Sequence, residues 1–405
     1  MHDPHTALAD LSRRQAGRET ALHKASPEFR AQSARVRSGI RTAQRKKQIL
    51  MLTGLFLTFL FSLCFRPLNN AFIPAETFRN IGGLLEIGYR SIFDRPFDAG
   101  TVSEALPFFH ETAARLKLSA ISLFSGVIIC AAGALFQTIF KNPIASPNML
   151  GVSTGVTLGN IVFVLSFGLQ AAYHLSMRYL YCYGFSAILV FVAFLAGKYA
   201  GRKLGTFSVE GTIVAGLMIS HLGGVFVTYF QMTLQADETG LLELFTQLNN
   251  GDVLYQDFVS MIVFFGCVIL TLVPVALIRY RFNAVTFHDE ETKTMGLAPG
   301  RLRAAGLLLG SLMATVAMVH SGSIGFLSMV IPFLCREPGH TDFRDVLFNS
   351  CVLGGMMNLT VRIIISTFNS FGIMAPASVV MTLVILPIFV MILLQRRDGN
   401  NDFGM

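Results

Sequence analysis

Ten apolar runs dominate this sequence, at about 49–65, 118–138, 149–169, 179–196, 212–233, 258–278, 304–320, 323–335, 346–366 and 375–394. Most approach the ~20 residues a helix needs to cross the hydrocarbon of a bilayer. Backbone inside that layer must satisfy its own hydrogen bonds, so such runs fold as helices. Charged residues make up 14% of the 405 and apolar ones 53%. A soluble domain carries roughly 25% charged residues. These figures exclude a disordered chain and an ordinary soluble enzyme. The expected fold class is an all-α membrane protein with about ten transmembrane helices. The eighth run is short, and Gly322, Gly325 and Pro332 interrupt it, so it reads as a broken or half helix.

Ten crossings put both termini on one side, and the basic residues say which. With the N-terminus inside, the short inner connections hold 13 Lys and Arg and the short outer ones hold a single base, Arg178. Cytoplasmic loops carry such an excess, so the chain is expected in the cytoplasmic (inner) membrane with both termini cytoplasmic. Residues 1–48 hold 11 bases and 4 acids. A basic tail before an apolar segment marks the cytoplasmic side rather than a nucleic-acid partner. It is too long and polar for a signal peptide. The expected organisation is a disordered basic tail at 1–48, a polytopic transmembrane domain at 49–395 and a cytoplasmic tail at 396–405. Within the domain lie an outer segment, 66–117, and an inner loop, 279–303. The acidic outer loop 234–257 is expected to hold a short helix on the membrane surface.

The six cysteines lie in or beside apolar runs without CxxC spacing, which suits packing rather than metal binding or redox chemistry. Gly151, Gly155 and Gly159 recur at every fourth residue, so one helix face is bare and a neighbouring backbone can approach closely. The same stretch matches G-x-S-x-G, but an apolar helix supplies neither the strand-to-helix turn nor the His/acid pair of that motif. No phosphate-binding G-x-x-x-x-G-K-[ST] occurs, and no acid lies deep in a run. A proton-coupled carrier usually needs such an acid. Energy, if used, would therefore come from a partner, and no catalytic residue, metal or cofactor is expected. Two ionisable groups do lie within runs, Arg362 and His221. Arg362 reads equally as functional or as snorkelling to the interface, and His221 more often as a packing residue. In the inner loop, Asp289 can cap a short helix, acids fill its first turn and Gly296 can end it.

Residues 133–155 read GALFQTIFKNPIASPNMLGVSTG. This resembles the signature G-A-x-x-Q-x-x-x-x-N-P-L-A-x-P-x-x-L-G-V-S-x-G of the FecCD-type permeases, with Gly133, Gln137, Asn142, Pro143, Pro147, Gly151 and Gly155 on its fixed positions. Three further stretches match in order: HDEETKTMGL at 288–297, GSIGFLSMVIP at 322–332, and the last run with Pro376 and Pro387. The resemblance implies the permease architecture of ABC importers for iron–siderophore complexes, with haem or cobalamin as the alternative cargo. It implies a second permease (the same chain or another), two cytoplasmic ATP-binding subunits and an external substrate-binding protein as partners, besides membrane lipid. It places Asp289, Glu290, Glu291, Lys293 and Gly296 on the ATPase-docking helix. Arg115 and Arg362 fall where the family has cations that meet the binding protein, and His221 falls on a path-lining helix. The chain departs from the pattern at Leu118, Phe333 and Asn358, where the family has Arg, His and Asp.

Overall fold

The computed structural model describes residues 46–64, 80, 82–83, 99–201, 208–236, 240–251, 258–287, 289–336, 342–370 and 377–401. The expected tail up to residue 45, most of 66–98, His288, Pro376 and 402–405 lie outside the described residues. The described chain is helical. Helix α1 covers 46–62, α2 Ala99–Ile139, α3 Val152–Phe167, α4 Leu175–Gly201 and α5 Val209–Ala236. Helix α6 covers Leu241–Asn249, α7 Phe258–Val285, α8 Asp289–Thr294 and α9 Pro299–Ser321. Helix α10 covers Leu327–Cys335, α11 Phe343–Ser370 and α12 Ala377–Asn401. By contacts the chain divides into Met1–Thr53, of which 46–53 form the first turns of α1, and Gly54–Met405.

Each of the ten apolar runs forms a helix, and among the described residues six helices are long and apolar enough to cross a membrane alone. The eighth run becomes α10, nine residues after an irregular stretch. At 1.5 Å per residue it reaches about 14 Å, roughly half a hydrocarbon layer. The expected surface helix between the fifth and sixth runs is α6. One boundary moves: α2 begins at Ala99, so 99–117 of the expected outer segment are helical. No charge pattern in the sequence separates this extension from a loop.

Helix α2 is the axis of the core. Its neighbours are α9, α10 and α11, and the main cluster of buried side chains runs along it through Ile121, Ile128, Leu135 and Phe136. Small residues allow this. Gly126 meets the backbone of Gly354 on α11, and Gly133 meets the carbonyl of Ser328 on α10, both too close for any Cβ. In a bilayer, where lipid is as apolar as leucine, such backbone-to-backbone packing joins helices. A smaller cluster, built on Phe163, Leu234, Phe245 and Leu248, seats α6 against α3 and α5.

Candidate functional site

Helix α8 is held from one side and open on the other. Thr292 is fully buried and donates to the Ala284 carbonyl at 2.8 Å. Asp289 forms a two-pronged ion pair with Arg303 in the first turns of α9, one arm being 3.0 Å long. This hydrogen bond from Arg303 holds the Asp289 carboxyl below the usual carboxylate range. Glu290, Glu291 and Lys293 are exposed. Lys293 donates to Glu290 at 2.8 Å, and that hydrogen bond raises its pKa. Gly296 is left-handed at φ 75°; its N–H reaches the Lys293 carbonyl, and Leu297 N–H reaches that of Thr292. That pair of bonds is the Schellman ending, which a glycine accommodates without strain. Of the five residues expected on this helix, Asp289 therefore faces α9 and does not cap. Glu290, Glu291 and Lys293 form the open face, and Gly296 is the stop.

The 133–155 signature is a packing motif. Gln137 donates to the Met329 carbonyl at 2.8 Å and accepts from Arg336 Nε at 3.0 Å, tying α2 to both ends of α10. Arg336 also reaches the Ala134 carbonyl and Thr138 Oγ1. Asn142 Oδ1 accepts from Ile144 N–H around Pro143, and Pro147 opens a 3-10 turn. Gly155 and Gly159 are pressed against α4, where a Cβ would come within 2.5 Å of Ser186 Cα and 2.6 Å of Cys182 Cα. Gly151 continues that line more loosely, where a Cβ would lie 3.7 Å from Leu189 Cβ of α4. At φ 81° it is the turn into α3, so its glycine serves backbone conformation.

The expected rim and path residues fall in different places. Arg115 is 2% exposed and donates to the Leu63 carbonyl at 3.3 Å, so its guanidinium lies inside, against the end of α1. Arg362 is half-buried on α11, one turn after Asn358, which donates to the Ser122 carbonyl of α2 at 2.6 Å. His221 is exposed on α5 beside Met218, Leu222 and Val225. Arg115 and Arg362 lie towards the same end of the packed pair α2 and α11, beyond the Ser122–Asn358 bond, whereas His221 lies on α5. A cleft of about 770 Å³ between α4, α7 and α9, lined by Tyr183, Phe191, Cys267 and Leu308 among others, includes none of them.

One cluster escaped the sequence reading. Arg178, counted there as an outer base, is 2% exposed in the first turns of α4. Its Nε donates to Asn160 Oδ1 at 2.8 Å, and its Nη2 to the carbonyls of Leu248 at 2.8 Å and Val319 at 3.1 Å. Asn160 also accepts from Cys182, and Asn249 accepts from Thr157. Beside them His320, fully buried, stacks on Tyr179 with centroids 4.9 Å apart and shares a 3.2 Å hydrogen bond with the Tyr183 hydroxyl. The position of Arg178 at the start of a run looked interfacial, and nothing in its neighbours signals burial.

Long apolar helices packed through glycines, with an exposed capped helix on one connection, describe a multi-pass membrane protein. The model of the FecCD transport family matches residues 85–395, and the chain belongs to that family. It is 24% identical over 284 residues to a probable iron chelatin transport system permease protein of Helicobacter pylori, covering 70% of this chain and 82% of that one. It is 26% identical over 284 residues to the vitamin B12 import system permease protein of Klebsiella pneumoniae, with the same coverage. The solved inward-facing structure of a metal-chelate type ABC transporter matches with a TM-score of 0.66 and 19% identity, over 87% of this chain and 99% of that one. That likeness carries the fold.

Proposed function

We propose that this chain is the permease subunit of an ATP-driven importer and forms the path for an iron–siderophore complex delivered by an external binding protein. The carrying observation is α8: a capped helix anchored by Asp289 to α9, with Glu290, Glu291 and Lys293 facing outward in a member of the FecCD family. Its open face suits a groove on a cytoplasmic ATP-binding subunit, so ATP is hydrolysed outside this chain. The excess of bases on the α8 side supports a cytoplasmic location for that face and for both termini. A second permease, identical or not, completes the path, with His221 on the open face of α5 as a lining residue. Arg362 remains a contact for the binding protein, whereas the burial of Arg115 favours a role within the chain.

The cargo could instead be cobalamin or haem, since relatives of similar identity include a vitamin B12 permease and a hemin permease. Proteoliposomes holding the permease, its ATP-binding subunits and its binding protein should take up one of three probes, ferrichrome-bound iron, hemin or cyanocobalamin, when ATP is enclosed with the ATP-binding subunits. Uptake of cyanocobalamin or hemin alone would overturn the iron–siderophore reading. Uptake by the permease alone under a proton gradient would overturn the ATP-driven one.

A further inference from the structure

Arg178 is a cation enclosed in a membrane protein, and no carboxylate is among its hydrogen-bond partners. A buried guanidinium costs several kcal/mol unless its charge is compensated. The compensation is visible in where its two carbonyls come from. Leu248 lies in the last turn of α6 and Val319 in the last turn of α9. A helix C-terminus carries roughly half a negative charge, so two converging ends can match one cation. The convergence is tight: Gly251 and Gly322, left-handed at φ 73° and 76°, follow the two helices and touch backbone to backbone. A Cβ at either would collide with the other strand of the junction.

At its opposite end α9 carries Arg303, paired with Asp289 of α8. Between the two joints α9 is one helix of 23 residues, with its proline confined to the first turn. It is about 34 Å long at 1.5 Å per residue. Gly306 and Gly310 are packed against Phe282 and Phe136, while Leu308 and Leu312 on another face stand open.

We propose that Arg178 is a positioning residue of transport: it clamps α6 to the end of α9, and with the Arg303–Asp289 joint makes α9 a strut linking the surface helix α6 to the docking helix α8. The role in transport rests on the permease reading above, but the mechanical link does not. Arg is suited to the clamp because its planar fork serves Asn160 and two carbonyls at once, which a lysine ammonium on a flexible stem does not.

The test is amide hydrogen exchange on the full chain in phospholipid nanodiscs, without ATPase or cargo, so it stands whether or not the permease reading does. Asp289→Asn weakens the α8 joint at Arg303, about 24 Å along α9 from Val319 by the helix rise. It should speed exchange of the 241–251 amides at least threefold. Arg178→Gln should likewise speed exchange across 289–297, and the double variant should exceed neither single variant at the distant end. Arg178→Lys, a gentler change, should act in the same direction if Arg178→Gln does not fold. Asp289→Arg with Arg303→Asp should restore the wild-type pattern at α6. A purely structural role would predict effects confined to each variant's own end. Confinement of that kind in Asp289→Asn, or additive effects in the double variant, would overturn the strut.

Discussion

Helices α2 and α5 are both long, apolar and uncharged through their centres, yet 78% of the central window of α2 is buried and only 11% of that of α5. Hydrophobicity cannot separate them, because a lipid-facing helix and a core helix meet equally apolar surroundings. What separates them is where the small residues fall. In α2, Ser122, Gly126, Cys130, Gly133 and Gln137 recur at three- and four-residue steps and admit α10 and α11. In α5, Gly216 and Gly223 face Met149 and Thr154, while Met218, Leu222, Val225, Tyr229 and Met232 stand open. Close packing, and not apolar character, marks the inside of this protein.

The sharpest way to break that contrast is to place the same leucine on both helices. Gly133→Leu drives a side chain into the Ser328 backbone, which has no free rotamer to yield. Overpacking costs about 1–3 kcal/mol when side chains can adjust, and a backbone clash should exceed that. The expected result is loss of monodisperse protein in detergent or a large fall in melting temperature. Gly224→Leu on α5 meets nothing within 4 Å. It should leave the melt unchanged or raise it slightly, since leucine is the better helix former by up to ~1 kcal/mol. Equal tolerance at the two sites would dissolve the contrast.

A second pair is smaller. Gln137→Leu on α2 strips a donor from the Met329 carbonyl and an acceptor from Arg336. Leaving buried groups unsatisfied costs about 1–3 kcal/mol each, so a clear fall in melting temperature is expected. His221→Leu, on the open face of α5, should shift stability by less than about 0.5 kcal/mol. Its uptake assay is then free of a folding effect: a changed rate at an unchanged melt supports a path-lining role, and an unchanged rate returns His221 to an ordinary exposed position.

The same contrast explains what the sequence discloses. Helix number and the helices α6 and α8 follow from apolar runs, acids in a first turn and a terminal glycine, all local signals. The family signature was legible as letters, and its physics as packing became visible only once Ser186, Cys182 and Ser328 were seen against Gly155, Gly159 and Gly133. Arg178 and Arg115 were the opposite case. Both stand near the ends of apolar runs, where a base ordinarily meets water. Their burial depends on carbonyls 70 and 52 residues away in the chain, at Leu248 and Leu63. No local pattern carries such a partner. Asp289 opens its helix as the local pattern suggests, but its carboxylate bonds Arg303, 14 residues on, a partner no local pattern carries.

Smaller than the loss of Gln137 is the effect expected of that bond, and it sharpens the comparison by testing a joint outside the apolar layer. The hydrogen bond from Arg303 depresses the Asp289 pKa in the folded chain below the usual carboxylate range. A depressed carboxylate contributes stability that is fully present above the unfolded pKa and is lost as pH falls through the lower, folded value. From pH 8 to pH 5 the joint should therefore be indifferent to pH. Asp289 is 32% exposed by side chain and Arg303 11%, so solvent screens the pair in part. A contribution of about 1 kcal/mol or less is expected for such a pair, a change of up to about fivefold in local opening. Amide exchange of 289–297, corrected for intrinsic pH dependence, should be flat across pH 5–8 in the wild type. In Asp289→Asn it should be faster by that factor at each of these pH values. As pH falls through the lowered folded value the wild-type carboxyl takes up its proton, and the two proteins should converge. Wild-type protection that fades between pH 8 and pH 5 would mean that a group other than Asp289 holds α8 against α9.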